Sequence, residues 1–152
     1  MQWEFCVALL KLLRPHIHVA IETSGAASSE VFRQVTELCD FVFMDIKLAD
    51  AEAHKRYTGV SNEKIIKNAL WLKESGIPHL FRTPLIPGIT DTKENLEAIA
   101  SLVGDDRIEL LPYNTLAPAK YASVGKSFTE LIDKDKANEP DLSIFKNATL
   151  RK

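Results

Sequence analysis

The chain has 152 residues, 45% hydrophobic and 26% charged, the balance of a globular domain with one core. Its 19 basic and 21 acidic residues leave a formal charge of -2, which argues against the basic stripe that nucleic-acid binding requires. No run approaches the roughly 18 apolar residues of a membrane span, and the opening MQWEFCVALLKLL carries Glu4 inside its apolar part, unlike a signal peptide. A membrane partner is therefore not expected. Cys6 and Cys39 are the only cysteines, both in apolar helical patterns and far from any CxxC spacing. Buried free thiols and a reducing cytoplasm are the expectation.

The elements alternate. Trp3, Cys6, Val7, Leu10 and Leu13 fall three and four apart, which predicts a helix over 3–13 ended by Pro15. HVAIETSG is a short β-branched run closing in a turn. Ser28 or Ser29 caps a second helix with Val31, Phe32, Val35 and Leu38 inward. FVFMDIK returns as a strand, AEAHKRY makes a short helical turn, and Ser61 caps a longer helix. In that helix Ile65, Ile66, Ala69, Leu70 and Leu72 are expected inward, and Gly76 stops it. PHLFRTPLI is the third strand. Thr90 or Asp91 caps a helix carrying Leu96, Ile99, Ala100 and Leu102, which Gly104 ends. RIELLPY is the fourth strand. Four such alternations predict an α/β fold of parallel strands joined by right-handed crossovers. Residues 1–128 are expected to form one domain and 129–152 a polar tail with a short helix around Leu142, Ile144 and Phe145.

Ligands of parallel α/β folds meet the carboxyl ends of the strands. Those ends here carry Glu22, Thr23 and Ser24, then Asp45 and Lys47, then Arg82 and Thr83, then Tyr113 and Asn114. A charge in a buried strand costs several kcal/mol unless paired or wet. Rim ion pairs, Asp45 with Arg82 and Lys47 with Glu22, are one account of these residues. A shared ligand site is the other, and the recurrence at all four ends favours it. The ligand would offer a carboxylate to a cation and hydroxyls to Asp45 and Asn114, as an amino-acid nucleoside does. His16, His18, His54 and His79 are scattered over helix exits, strand starts and a surface helix, and Gly59 in RYTGVSN is a turn glycine rather than part of a phosphate loop.

The runs HVAIETSG, FVFMDIK, FRTPLIPGITDT and IELLPYN resemble, in order and spacing from about residue 1 to residue 128, the radical S-adenosylmethionine activating enzymes of glycyl radical enzymes, the pyruvate formate-lyase activating enzyme type among them. The resemblance implies the last four βα units of a (βα)6 partial, TIM-like barrel. It implies S-adenosylmethionine and a [4Fe-4S] cluster as cofactors of the parent enzyme, an oxidoreductase that places a radical on a glycyl radical enzyme, pyruvate formate-lyase or a relative. The C-x3-C-x2-C motif that holds the cluster in the family is not in these 152 residues. The chain alone is therefore expected to bind no cluster, to supply no catalytic residue, and to be inactive.

By the same resemblance Ser24, Asp45, Lys47, Arg82, Leu111, Tyr113 and Asn114 are the cofactor-binding residues, Asn114 standing where a histidine meets the ribose. Glu22, Thr23, Asp45 and the carbonyl of Met44 match the positions of a monovalent cation, with Glu22 in place of an aspartate. The first strand is expected to expose its edge and to invite self-association. Two other readings stand beside this one: an aldolase-like barrel with Lys47 as Schiff-base lysine, and a non-catalytic domain that binds a nucleoside or a protein.

Overall fold

The computed structural model describes residues 2–114, 117–127, 132–133 and 136–151. Its elements run α1 (Trp3–Leu13), β1 (Ala20–Thr23), α2 (Ser29–Thr36), β2 (Phe41–Asp45), α3 (Ala51–Thr58), α4 (Glu63–Glu74), β3 (His79–Pro84), α5 (Lys93–Val103), β4 (Ile108–Leu111), α6 (Ala117–Ser123), a 3-10 turn (Leu142–Ile144) and β5 (Ala148–Leu150). The five strands form one sheet in the order β1-β2-β3-β4-β5, every pairing parallel. The parallel α/β fold expected from the sequence is the fold found. Among the described residues no helix is long and apolar enough to cross a membrane.

Because side chains alternate along a strand, register decides which residues share a face. Thr23 pairs with Met44, Met44 with Phe81 and Phe81 with Ile108. Met44, Phe81, Ile108, Val42, Thr83 and Leu110 are all at most 1% exposed. That face is covered by Leu10 of α1, Phe32 and Val35 of α2, Ile65, Ala69 and Leu72 of α4, and Leu96, Ile99 and Val103 of α5. The other face carries Glu22, Phe43, Asp45, Leu80, Arg82, Glu109 and Leu111. No helix of the cluster covers it, and all of these except the buried Arg82 are half-buried or exposed. The chain thus has one dry face and one open, polar and aromatic face.

Local signals account for most boundaries. Ser28 caps α2 by accepting from the Val31 amide at 3.4 Å, and Asp50 caps α3 by accepting from Ala53 at 2.7 Å. Gly59, at φ 81°, ends α3 in the left-handed conformation that side chains resist.

Three expectations are corrected. Thr92, not Thr90 or Asp91, caps α5; the latter two are buried and hold the preceding loop, Thr90 by accepting from the Ile86 amide and Asp91 by accepting from Gly88 at 2.7 Å. In α4 the inward set is Ile65, Asn68, Ala69 and Leu72, with Leu70 exposed, because the helical period fixes the face regardless of polarity. Ser61 precedes the N-cap position, held by Asn62, but its hydroxyl still accepts from the Glu63 amide at 3.2 Å, while the Asn62 amide points back into the molecule. A fifth strand also joins the sheet beyond residue 128. The terminal helix expected near Leu142 is a single 3-10 turn that buries Phe145 and leads into β5. Three strand residues are too few to show a period in sequence.

Candidate functional site

At the carboxyl end of the open face, Arg82 of β3 reaches across β2 to β1. Its Nη1 and Nη2 donate to Glu22 Oε1 and Oε2 at 3.0 and 3.1 Å. Its Nε donates to Asp45 Oδ1 at 3.0 Å. On the way the guanidinium lies 5.1 Å from the centroid of the Phe43 ring, where the π face favours a cation. Lys47 completes the row, Nζ to Asp45 Oδ2 at 3.3 Å. The side chain of Arg82 is 8% exposed and that of Glu22 69%. The hydrogen bond and charge of Arg82 hold the Glu22 carboxyl below the usual carboxylate range, and Glu22 and Asp45 in turn raise Arg82 further.

The expected pairing of Asp45 with Arg82 is thus present. The expected pairing of Lys47 with Glu22 is not: Lys47 pairs with Asp45, and Glu22 with Arg82. Register explains it: Glu22 pairs with Phe43, so Lys47 lies four residues further along the line of β2, whereas Arg82 pairs with Asp45 and its long side chain reaches across β2 to Glu22.

A pocket of about 220 Å³ opens beside this row, lined by Ser24, Ala26, Asp45, Lys47, His54, Thr58, Val60 and Ile65. It brings together three of the residues singled out in the sequence, Ser24, Asp45 and Lys47. It also adds one that was set aside: His54 is 4% exposed rather than on a surface. The His54 Nδ1 lies 2.8 Å from the Val60 carbonyl, which can only accept, so Nδ1 carries the proton in the neutral ring. Leu111 belongs to the open face through its pairing with Pro84. Tyr113 and Asn114 follow it, half-buried and exposed. Thr23 and Met44 point the other way from Glu22 and Asp45, and the Thr23 hydroxyl accepts from the Gly25 amide at 3.0 Å.

The loops that carry these residues are held by buried asparagines. Asn68 of α4 donates to the Gly25 and Ala27 carbonyls at 2.8 and 3.0 Å, fixing the loop after β1. Asn62 donates to the carbonyls of Leu48 and Ala49 at 3.0 and 2.8 Å. Asn95 of α5 donates to the Lys47 carbonyl at 3.0 Å and accepts from the Ala49 amide at 3.0 Å, fixing the loop after β2. Gly25 sits at φ 69°, where an added Cβ would lie 2.3 Å from Met44 Cε, so the backbone approaches the core more closely than any side chain permits. Sequence reasoning missed all three asparagines. The available signal was an asparagine at a core position of a helical period, as at Asn68 beside Ala69 and Leu72.

The cysteines are not arranged as cluster ligands. Cys39 is buried, its thiol donating to the Val35 carbonyl at 3.4 Å. Burial, with the neighbouring Cys6 and Asp40, pushes that thiol up to about 11. A metal ligand must be a thiolate. Among the described residues no three of His, Cys, Asp and Glu gather as a metal group.

The Radical SAM superfamily model matches residues 1–103. The chain is 45% identical over 123 residues to the isethionate sulfite-lyase activating enzyme of Oleidesulfovibrio alaskensis, covering 77% of this chain and 40% of that one. It is 39% identical over 139 residues to the 4-hydroxyphenylacetate decarboxylase activating enzyme of Clostridioides difficile, covering 88% and 44%. The chain therefore spans less than half the length of these curated relatives. Among solved structures, a domain of pyruvate-formate lyase-activating enzyme from Bacteroides vulgatus superposes with a TM-score of 0.74 at 26% identity, covering 99% of this chain and 91% of that one. Coproporphyrinogen III oxidase from Escherichia coli, at 18% identity and a TM-score of 0.61, covers 92% of this chain and 34% of that one and shares the fold. With two thirds of its length matched by the family model and the parallel α/β sheet in common with these structures, the chain belongs to the radical SAM superfamily.

Proposed function

We propose that this chain is the nucleoside-holding part of an activating enzyme for a glycyl radical enzyme, pyruvate formate-lyase or a relative of it, in the cytoplasm. The observation that carries the reading is the convergence of Ser24, Asp45 and Lys47 on one pocket at the strand ends, in a chain similar to two activating enzymes over most of its length. The cofactor, S-adenosylmethionine, supplies the radical chemistry when it is bound with its cluster. The residues of this chain position it. Lys47 offers a cation to the carboxylate, Asp45 accepts from a ribose hydroxyl, and Ser24 offers a hydroxyl. Arg82 holds the Asp45 carboxylate in place. Leu111 and Tyr113 flank the base, and Asn114 hydrogen-bonds the ribose.

The pocket offers the polar groups of Ser24, Asp45 and Lys47 to a nucleoside. The two cysteines do not fit a cluster, so no step of the reaction is assigned to this chain, and on its own it forms no 5′-deoxyadenosine. An aldolase-like role for Lys47 is disfavoured by its surroundings. A Schiff-base lysine is activated in a desolvated apolar pocket or beside another cation, whereas Lys47 is 36% exposed and ion-paired with a carboxylate.

Amide NMR with S-adenosylmethionine tests the reading. Binding near the millimolar range, about -4 kcal/mol, is expected to shift resonances of Ser24, Asp45, Lys47, Tyr113 and Asn114. Lys47→Ala should weaken it roughly tenfold or more, the value of one charge-assisted hydrogen bond. Shifts scattered over the helices, or none at millimolar cofactor, would overturn it.

We also propose that the chain associates with itself through β1, which lies at one end of the sheet with its outer edge unpaired among the described residues. Sedimentation velocity across a concentration series is expected to show a rising average mass. A monomer throughout would remove the proposal.

A further inference from the structure

The four oxygens of Glu22 and Asp45 each carry a charged donor: Glu22 Oε1 and Oε2 from Arg82, Asp45 Oδ1 from Arg82, and Asp45 Oδ2 from Lys47. Two carboxylates face two cations, so the cluster is neutral as it stands, and a further monovalent ion would leave it with an excess positive charge. The Thr23 hydroxyl is engaged by Gly25 on the opposite face of the sheet. Glu22, Asp45 and Thr23, three of the four groups that the family resemblance matches to a monovalent-cation position, therefore do not fit such an ion in this arrangement.

The identity of residue 22 makes this possible. Arg82 comes from β3, two strands away from β1. An aspartate at position 22 would end one carbon–carbon bond, about 1.5 Å, short of the present carboxylate. Glutamate closes that distance and meets both Nη atoms in the fork geometry that a guanidinium favours. The Phe43 ring beneath supports the guanidinium on the way.

We propose that the Arg82 guanidinium is the resident cation of this strand-end site, taking the place of a sodium or potassium ion and making the site independent of both. The proposal stands whether or not the pocket binds a nucleoside.

The test is thermal unfolding of the whole chain in sodium, potassium and choline chlorides at equal ionic strength, with the sodium-23 NMR line width as a direct probe. Wild type is expected to melt at one temperature in all three salts and to broaden the sodium line no more than the unfolded chain does. Higher melting in sodium or potassium than in choline, with saturable broadening, overturns the proposal. In Arg82→Met the two carboxylates lose their shared cation. That variant is expected to melt about 4 °C or more below wild type in choline and to recover part of the loss in sodium or potassium. Glu22→Asp, which keeps every charge but shortens the reach, is the second variant and covers the case in which Arg82→Met does not fold; it should acquire the same preference for an inorganic cation over choline. Indifference of the folded variants to the three salts also overturns the proposal.

Discussion

Replacing Phe81 by alanine is expected to lower the unfolding free energy by about 3–5 kcal/mol. Phe81 is wholly buried in β3, its Cα paired with Met44 on one side and Ile108 on the other, so its ring sits mid-sheet on the dry face. Rigid neighbours on both strands limit collapse into the space left, which places the cost toward the upper end. Chains of this kind are stable by about 5–15 kcal/mol in all, so the variant should be marginal at 37 °C. Urea denaturation followed by circular dichroism measures the effect. Phe5→Ala, at a side chain 65% exposed on α1, is the control and should change stability by about 0.5 kcal/mol or less. Equal losses at the two positions would contradict the assignment of the dry face.

Asn68→Ala should cost roughly 1–3 kcal/mol. The amide of Asn68 donates to the Gly25 and Ala27 carbonyls; the Gly25 carbonyl also accepts from the Ala27 amide at 2.8 Å, so the variant leaves the Ala27 carbonyl as the one that loses its partner. The loss is partly offset because Asn68 Oδ1 is itself buried without a partner, and alanine removes that unsatisfied atom. The functional consequence is local. Ser24 and Ala26 line the pocket from the same loop, so the variant should weaken nucleoside binding at a temperature where it is still folded. Hydrogen exchange separates the two effects: protection should fall first at residues 24–27 and only later across β2 and β3. Loss of protection across the whole sheet at once would mean that Asn68 serves global stability alone.

The asparagines also show where sequence reading stops. A hydrophobic period identifies the inward face of α4 through Ile65, Ala69 and Leu72, but a polar residue on that face looks like an error of the pattern. Only the position of the β1 loop shows that Asn68 is aimed at two carbonyls 43 and 41 residues away. Asn95 is equivalent, tied to Lys47 and Ala49 across more than 40 residues. His54 was set aside as a surface residue because AEAHKRY is polar on either side of it; the fold buries it against the turn at Gly59 and Val60.

What the sequence by itself determined is local. It settled the alternation of helix and strand, through apolar spacing and the prolines and glycines that end each run, and with it the parallel fold and the polar residues at or just past the ends of the first four strands. These properties depend on neighbours within one or two turns of chain. What only the tertiary structure decided is pairing. Arg82 reaches Glu22 rather than leaving it to Lys47 because β3 and β1 flank β2 in a fixed register, and a register among strands 60 residues apart has no trace in local composition. The fifth strand belongs to the same class, since β5 is a strand only because β4 offers it an edge to pair with.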